Sequence, residues 1–162
     1  MKRGYFAFLL ASIAALVLVQ GLDTSRPMAH MGAEGVVKQR MLAMKDMGQA
    51  MKDLAAMVRG QTPYDAERVK ANARTIAGHA GPSMLSLFPP DSNGPPSEAR
   101  RSVWQDWQDF SRLAMELAEK ATDLETAALQ EVASSSTTPM APAFAALGKV
   151  CKSCHKSFRQ KK

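Results

Sequence analysis

Aromatic residues make up only 6% of this 162-residue chain, and runs of β-branched residues are few. Sheets draw on those residues to cover their faces, so their scarcity argues against a β architecture. There are only two cysteines, Cys151 and Cys154. The core must therefore be held by packing, which a chain of this length can do. Acidic residues are also short: 15 Asp and Glu against 21 Lys and Arg, for a net charge of +6. Two of those cations, Lys2 and Arg3, belong to the leader described below, so the remaining excess is small and is weak grounds for nucleic-acid binding. What the chain does have is Ala, Leu and 11 Met, a composition that favours helices.

The one long apolar run, Phe6 to Val19, is broken only by Ser12 and follows the positive start Met1–Tyr5. That is the layout of a secretory signal. It falls short of the ~20 residues of a membrane span. No Ala-x-Ala follows, and Val19-Gln20-Gly21 is the candidate cleavage sequence, giving a signal over residues 1–21. Extending the run to Leu22 makes a retained anchor the alternative. Either route places the folded part outside the cytoplasm. Residues 22–32 read as a flexible lead-in, with Pro27 and Gly32 as breakers.

Four helical segments follow. Over Ala33–Arg59, apolar residues recur every three or four positions, and Gly60 ends the run. Asp65 is placed to cap a second helix reaching about Ala77, with Val69, Ala73 and Ile76 inward. Residues 78–97 form the longest connection; Met84, Leu85, Leu87 and Phe88 suggest that part of it packs on the bundle. Ser97 is the expected cap of a third helix, whose inner face runs from Val103 through Trp104, Trp107, Phe110, Leu113 and Leu117 to Leu124. It fades at the polar stretch 134–138. A fourth helix starts near Pro139 or Pro142 and runs to about Arg159, with Phe144, Leu147, Val150, Cys151, Cys154, His155 and Phe158 sharing one face. Four amphipathic helices point to an all-α fold, an antiparallel bundle over residues 33–162.

Both cysteines fall in Cys151-Lys152-Ser153-Cys154-His155, the Cys-x-x-Cys-His pattern of covalent c-type haem attachment. Positions i, i+3 and i+4 share a helix face, so two thiols can reach two vinyl groups while the imidazole sits below the iron. A thioredoxin-like pair would need a βαβ context that is not visible. A zinc site would need further ligands, and His30 and His79 lie far off in breaker-rich segments. No acid–base pair or nucleophile stands out for turnover, so an enzyme is not expected. The cationic C-terminus (Lys149, Lys152, Lys156, Arg159, Lys161, Lys162) reads equally as a solvated helix end or as a docking patch for an acidic redox partner.

Beyond this motif the chain resembles the cytochrome c′ family, the class II c-type cytochromes. The matching pieces, in order, are Gln39-Arg40 with Met44 one turn later, Gly60-Gln61-Thr62-Pro63-Tyr64-Asp65-Ala66, Leu87-Phe88-Pro89-Pro90, Trp104, and Cys151–Arg159. The resemblance implies a left-handed up-down-up-down four-helix bundle holding one covalent haem c, with His155 as axial iron ligand. With the leader, this gives a periplasmic protein that meets redox partner proteins, and the sequence does not decide between monomer and homodimer. It also implies a choice at the distal position, which aligns with Met44. The register set by Arg40 and by the downstream Gly60–Asp65 stretch favours Met44 as an iron ligand, which makes the expected function that of a low-spin, six-coordinate periplasmic electron carrier with His155/Met44 ligation. If Met44 only blocks the iron, the protein is a five-coordinate, high-spin cytochrome c′ that binds nitric oxide or carbon monoxide. Methionines at helical spacing are more often core filler, and Met41, Met47, Met51 and Met57 share the helix. By the same resemblance Arg40 lies near a haem propionate and Arg159 near the proximal face. Each reads equally as an exposed helix cation. Trp104, Trp107 and Phe110 are expected in the core or the pocket wall.

Overall fold

The structure, a computed structural model, describes residues 33–134 and 140–160. The leader, the lead-in and most of the 134–138 turn lie outside the described residues. The described residues form six helices: α1 (Gly35–Val58), α2 (Ala66–His79), α3 (Gly81–Leu85), α4 (Ser102–Gln105), α5 (Trp107–Ser134) and α6 (Met140–Phe158). The long ones, α1, α2, α5 and α6, form the antiparallel four-helix bundle. In it α5 packs on both α2 and α6, and α1 on α2 and α6. Among the described residues there is no strand, and no helix is long and apolar enough to cross a membrane.

The helix boundaries follow local chemistry. Gly60 takes φ +67°, the left-handed turn that ends α1; its N–H donates to Met57 O and that of Gln61 to Ala56 O, meeting two of the last carbonyls. Asp65 caps α2 as expected, accepting from the Arg68 amide at 3.1 Å. The inner faces then close one core, in which Leu54, Val69, Ile76, Leu124 and Leu147 are essentially inaccessible. At about 25 cal/mol per Å2 such burial is the main stabilising term. The long connection does pack on the bundle: Met84 and Phe88 are buried, and α3 forms within it.

The third helix departs from expectation. Ser97 does not cap it. Residues 98–101 stay extended or turning, α4 is a single turn, and the helix restarts at Trp107 after Asp106. The reason lies in partners far along the chain. Segment 98–100 pairs antiparallel with the end of α6: Arg100 N donates to Phe158 O at 2.9 Å and Gln160 N to Glu98 O at 2.8 Å, with a bridge between Ala99 and Arg159. The Ser102 hydroxyl donates to Ser157 O at 2.9 Å. These bonds supply the backbone partners that a longer helix would have supplied.

Candidate functional site

α6 is pinned by Leu147, Val150 and Phe158, which are buried in the core. Its register therefore turns Cys151 and Cys154 partly inward, and both are free thiols. Burial pushes the Cys151 thiol up and the Cys154 thiol to about 11, the latter helped by the negative charges of Cys151 and Asp109. Burial, then the Arg159 charge, lowers the His155 pKa, while Glu98 opposes. At neutral pH the site thus presents two uncharged thiols and a neutral imidazole. The imidazole is in its metal-ligand form. The thiols are the opposite of a redox dithiol, whose nucleophile needs a depressed pKa.

Cys154, His155 and Phe158 open into a cavity of about 470 Å3. α1 contributes Val37, Arg40, Met41 and Met44 to its lining, and Phe88, Val103 and Phe110 complete an apolar wall. Phe110 is edge-on to both Phe88 (4.7 Å between centroids) and Phe158 (5.3 Å), which fixes that wall. The structure sorts the methionine stripe. Met41 and Met44 line the cavity, whereas Met47 and Met57 are buried in the core and Met51 packs against it. Met44 therefore shares a cavity with His155, although the two lie on different helices.

Arg40 is the buried charged side chain of the site, 5% exposed. Its guanidinium stacks over Phe88, 4.4 Å from the ring centroid. It donates to the Ser92 carbonyl and makes longer contacts to the Ser92 and Ser97 hydroxyls, both 3.4 Å. It is not an exposed helix cation. Among the described residues no carboxylate pairs with it. Arg159 also lines the cavity, and Glu98 accepts its Nε–H at 2.8 Å.

The tryptophans sit elsewhere. Trp104 Nε1 donates to the carbonyls of Phe88 (3.1 Å) and Pro89 (3.0 Å), holding the loop that carries Phe88. Trp107 is 38% exposed, because the break at Asp106 rotates it out of the inner face. Neither lines the cavity. Sequence reasoning missed Ser92 and Glu98, whose roles arise from contacts across more than fifty residues. The acid three residues before Arg101 in a motif-poor loop carries no local signal.

The donor set fits a haem better than a bare metal ion. No cluster of three or more His, Cys, Asp or Glu among the described residues could hold an ion alone. Two thiols, one imidazole, an apolar cavity and a buried cation lacking a carboxylate suit a flat apolar group that brings its own iron, vinyls and carboxylates.

A family model described as Cytochrome C' matches residues 35–159. A cytochrome c' of Pararhodospirillum photometricum is 38% identical over 128 residues, covering 78% of this chain and 98% of that one. A cytochrome c-556 of Agrobacterium tumefaciens is 38% identical as well, covering 79% and 99%. Among solved structures, a nitric oxide complex of a mutant cytochrome c prime from Alcaligenes xylosoxidans superposes with a TM-score of 0.67 at 28% identity, covering 78% of this chain and 94% of that one. A cytochrome c' described as showing ligand-controlled dimer dissociation superposes at 0.68 with 26% identity, covering 78% and 95%.

Proposed function

The chain belongs to the cytochrome c′ family, whose members carry a covalent c-type haem, and from that premise we propose that it is an exported, five-coordinate haem protein that binds a small diatomic gas. Cys151 and Cys154 hold the haem by thioethers, and His155 ligates the iron from α6. The bound haem supplies an iron that cycles between ferrous and ferric and can take nitric oxide or carbon monoxide. The chain's residues provide the rest. The wall of Phe88, Val103 and Phe110 carries no side-chain hydrogen-bonding group, which favours a neutral diatomic over a charged or hydrated ligand against it. Arg40, buried and without a carboxylate partner among the described residues, is positioned to receive a propionate. Arg159, already held by Glu98, biases His155 toward the neutral form. The leader sends the chain to the periplasm.

The observation that carries this reading is the apolar cavity shared by α1 and the His155 face of α6. The relative solved with nitric oxide supports it. A second reading rests on Met44: lining that same cavity, its thioether could ligate the iron and make the protein a low-spin electron carrier. The test is an absorption spectrum of the ferric and ferrous holoprotein with and without carbon monoxide. Broad high-spin bands and a large shift with the gas are expected. Sharp low-spin bands that ignore the gas, converted to high-spin by Met44→Leu, would overturn the proposal in favour of the second reading.

A further inference from the structure

Charge is distributed unevenly over this bundle. On α5 the cations are neutralised locally: Arg112 pairs with Asp109 and Glu116, and Lys120 with Glu119 and Asp123. α6 is different. It carries no Asp or Glu, and Lys149, Lys152 and Lys156 are exposed along one stripe at i, i+3 and i+7. The stripe runs through the attachment motif: Lys152 lies between the two cysteines and Lys156 follows His155.

A second element adds to it. Segment 100–102 lies alongside 156–158, and the Arg100 guanidinium donates to the Lys156 carbonyl at 3.2 Å. Arg101 beside it is exposed. None of these five cations pairs with a carboxylate among the described residues. The acid on this strip, Glu98, is engaged by Arg159. Five like charges from two elements thus lie, without a carboxylate partner among the described residues, along the solvent side of α6 and beside its end, behind the face that carries Cys151, Cys154 and His155. The helix dipole favours Lys156 in the last turn of α6 but does not reach back to Lys149 or Lys152; there, like charges at helical spacing repel, and a local acid would relieve them, as it does on α5.

We infer that the α6 face formed by Lys149, Lys152 and Lys156 with Arg100 and Arg101 is the electron-exchange surface of this protein, and that its partner is a one-electron redox protein presenting an acidic face. The inference rests on covalent haem attachment at Cys151 and Cys154, but not on the choice of distal ligand. A partner docked here stands over the backbone of the attachment motif, which the thioethers of Cys151 and Cys154 would join covalently to the haem. The positive field would raise the encounter rate with an acidic partner and repel a basic one.

The test uses small redox probes of opposite charge on the ferrous holoprotein, mixed anaerobically in stopped flow. In the reaction with hexacyanoferrate(III), one electron leaves the haem iron and the probe becomes hexacyanoferrate(II); no proton moves. Tris(phenanthroline)cobalt(III) takes one electron in the same way but is cationic. The variant is Lys149→Glu/Lys152→Glu/Lys156→Glu. A control with the same change in net charge, Arg59→Glu/Arg68→Glu/Arg74→Glu, alters exposed cations of α2 and of the turn before it. At ~0.01 M salt, where the screening length is about 30 Å, the α6 variant should slow the anionic probe about tenfold or more and speed the cationic one. The control should change either rate by less than about threefold. Near ~1 M salt the differences should vanish.

Equal effects of the two variants would overturn the inference, since net charge alone would then explain them. So would a variant indistinguishable from wild type. If the triple variant does not accumulate, Lys152→Glu alone is compared with Arg68→Glu alone: a clearly larger slowing of the anionic probe by Lys152→Glu supports the surface, and equal effects sink it. A pyridine haemochrome spectrum of each protein separates this failure from that of the haem assignment itself. Without covalent haem both readings fall, whereas intact haem with charge-blind rates removes only this one.

Discussion

Replacing Arg40 by methionine removes the charged group that ties α1 to the loop over the cavity, and the structure sets the size of the effect. The bond from the guanidinium to the Ser92 carbonyl is charge-assisted and stabilises by about 1.5–3 kcal/mol. The stacking over Phe88 adds about 1 kcal/mol. The two hydroxyl contacts at 3.4 Å are at the limit of hydrogen-bond range and add little. Against this, methionine relieves the burial of a cation, the cause that lowers the Arg40 pKa, and it refills the apolar volume. The net expected loss is about 2 kcal/mol, or roughly a 30-fold fall in the folding constant and a drop of about 4–8 °C in Tm. Urea denaturation of the ferric holoprotein, followed by circular dichroism, measures it; loss of the propionate pair proposed above adds to this figure, which is therefore a lower bound. Arg40→Lys keeps the charge but not the fork, and should recover less than half of the loss. A methionine variant within about 0.5 kcal/mol of wild type would refute this account of the site, as would full rescue by lysine.

Three further outcomes are expected. Cys151→Ser/Cys154→Ser should leave no haem on the polypeptide after denaturing electrophoresis and haem staining, while the wild type stains. Leu54→Ala empties a fully buried position on α1 and should cost about 2–5 kcal/mol in the same urea titration. Asp65→Ala removes the side-chain acceptor for the Arg68 amide and should cost about 1 kcal/mol, whereas Asp65→Asn should retain most of it; thermal melts of the two variants make the comparison.

Features governed by neighbours in sequence were readable from the chain. Gly60 and Asp65 end and start helices through bonds that reach three or four residues, and the attachment motif works through helical spacing. The apolar periods located all four long helices. What escaped was set by distant partners. The period through Val103, Trp104 and Trp107 continues smoothly into α5, so nothing local marks the break at Asp106; the break follows from the pairing of 98–100 with the end of α6. Ser97 reads as a helix cap, yet its hydroxyl serves Arg40 and the Ala99 amide. Arg40 read equally as an exposed helix cation or as a partner of a haem propionate, and its burial escaped, since the loop that covers it lies some fifty residues away.

That antiparallel pairing also gives the molecule a built-in clock for opening. Glu98 and Gln160, like Arg100 and Phe158, are joined across about sixty residues by backbone bonds that lie at one end of the bundle rather than inside a helix. The amide protons of Arg100 and Gln160 are therefore released to solvent when the end of α6 parts from the segment beside the cavity, even while the helical amides of α5 remain protected. Their deuterium uptake would time the exposure of the haem-holding residues separately from global unfolding, using two positions that need no label.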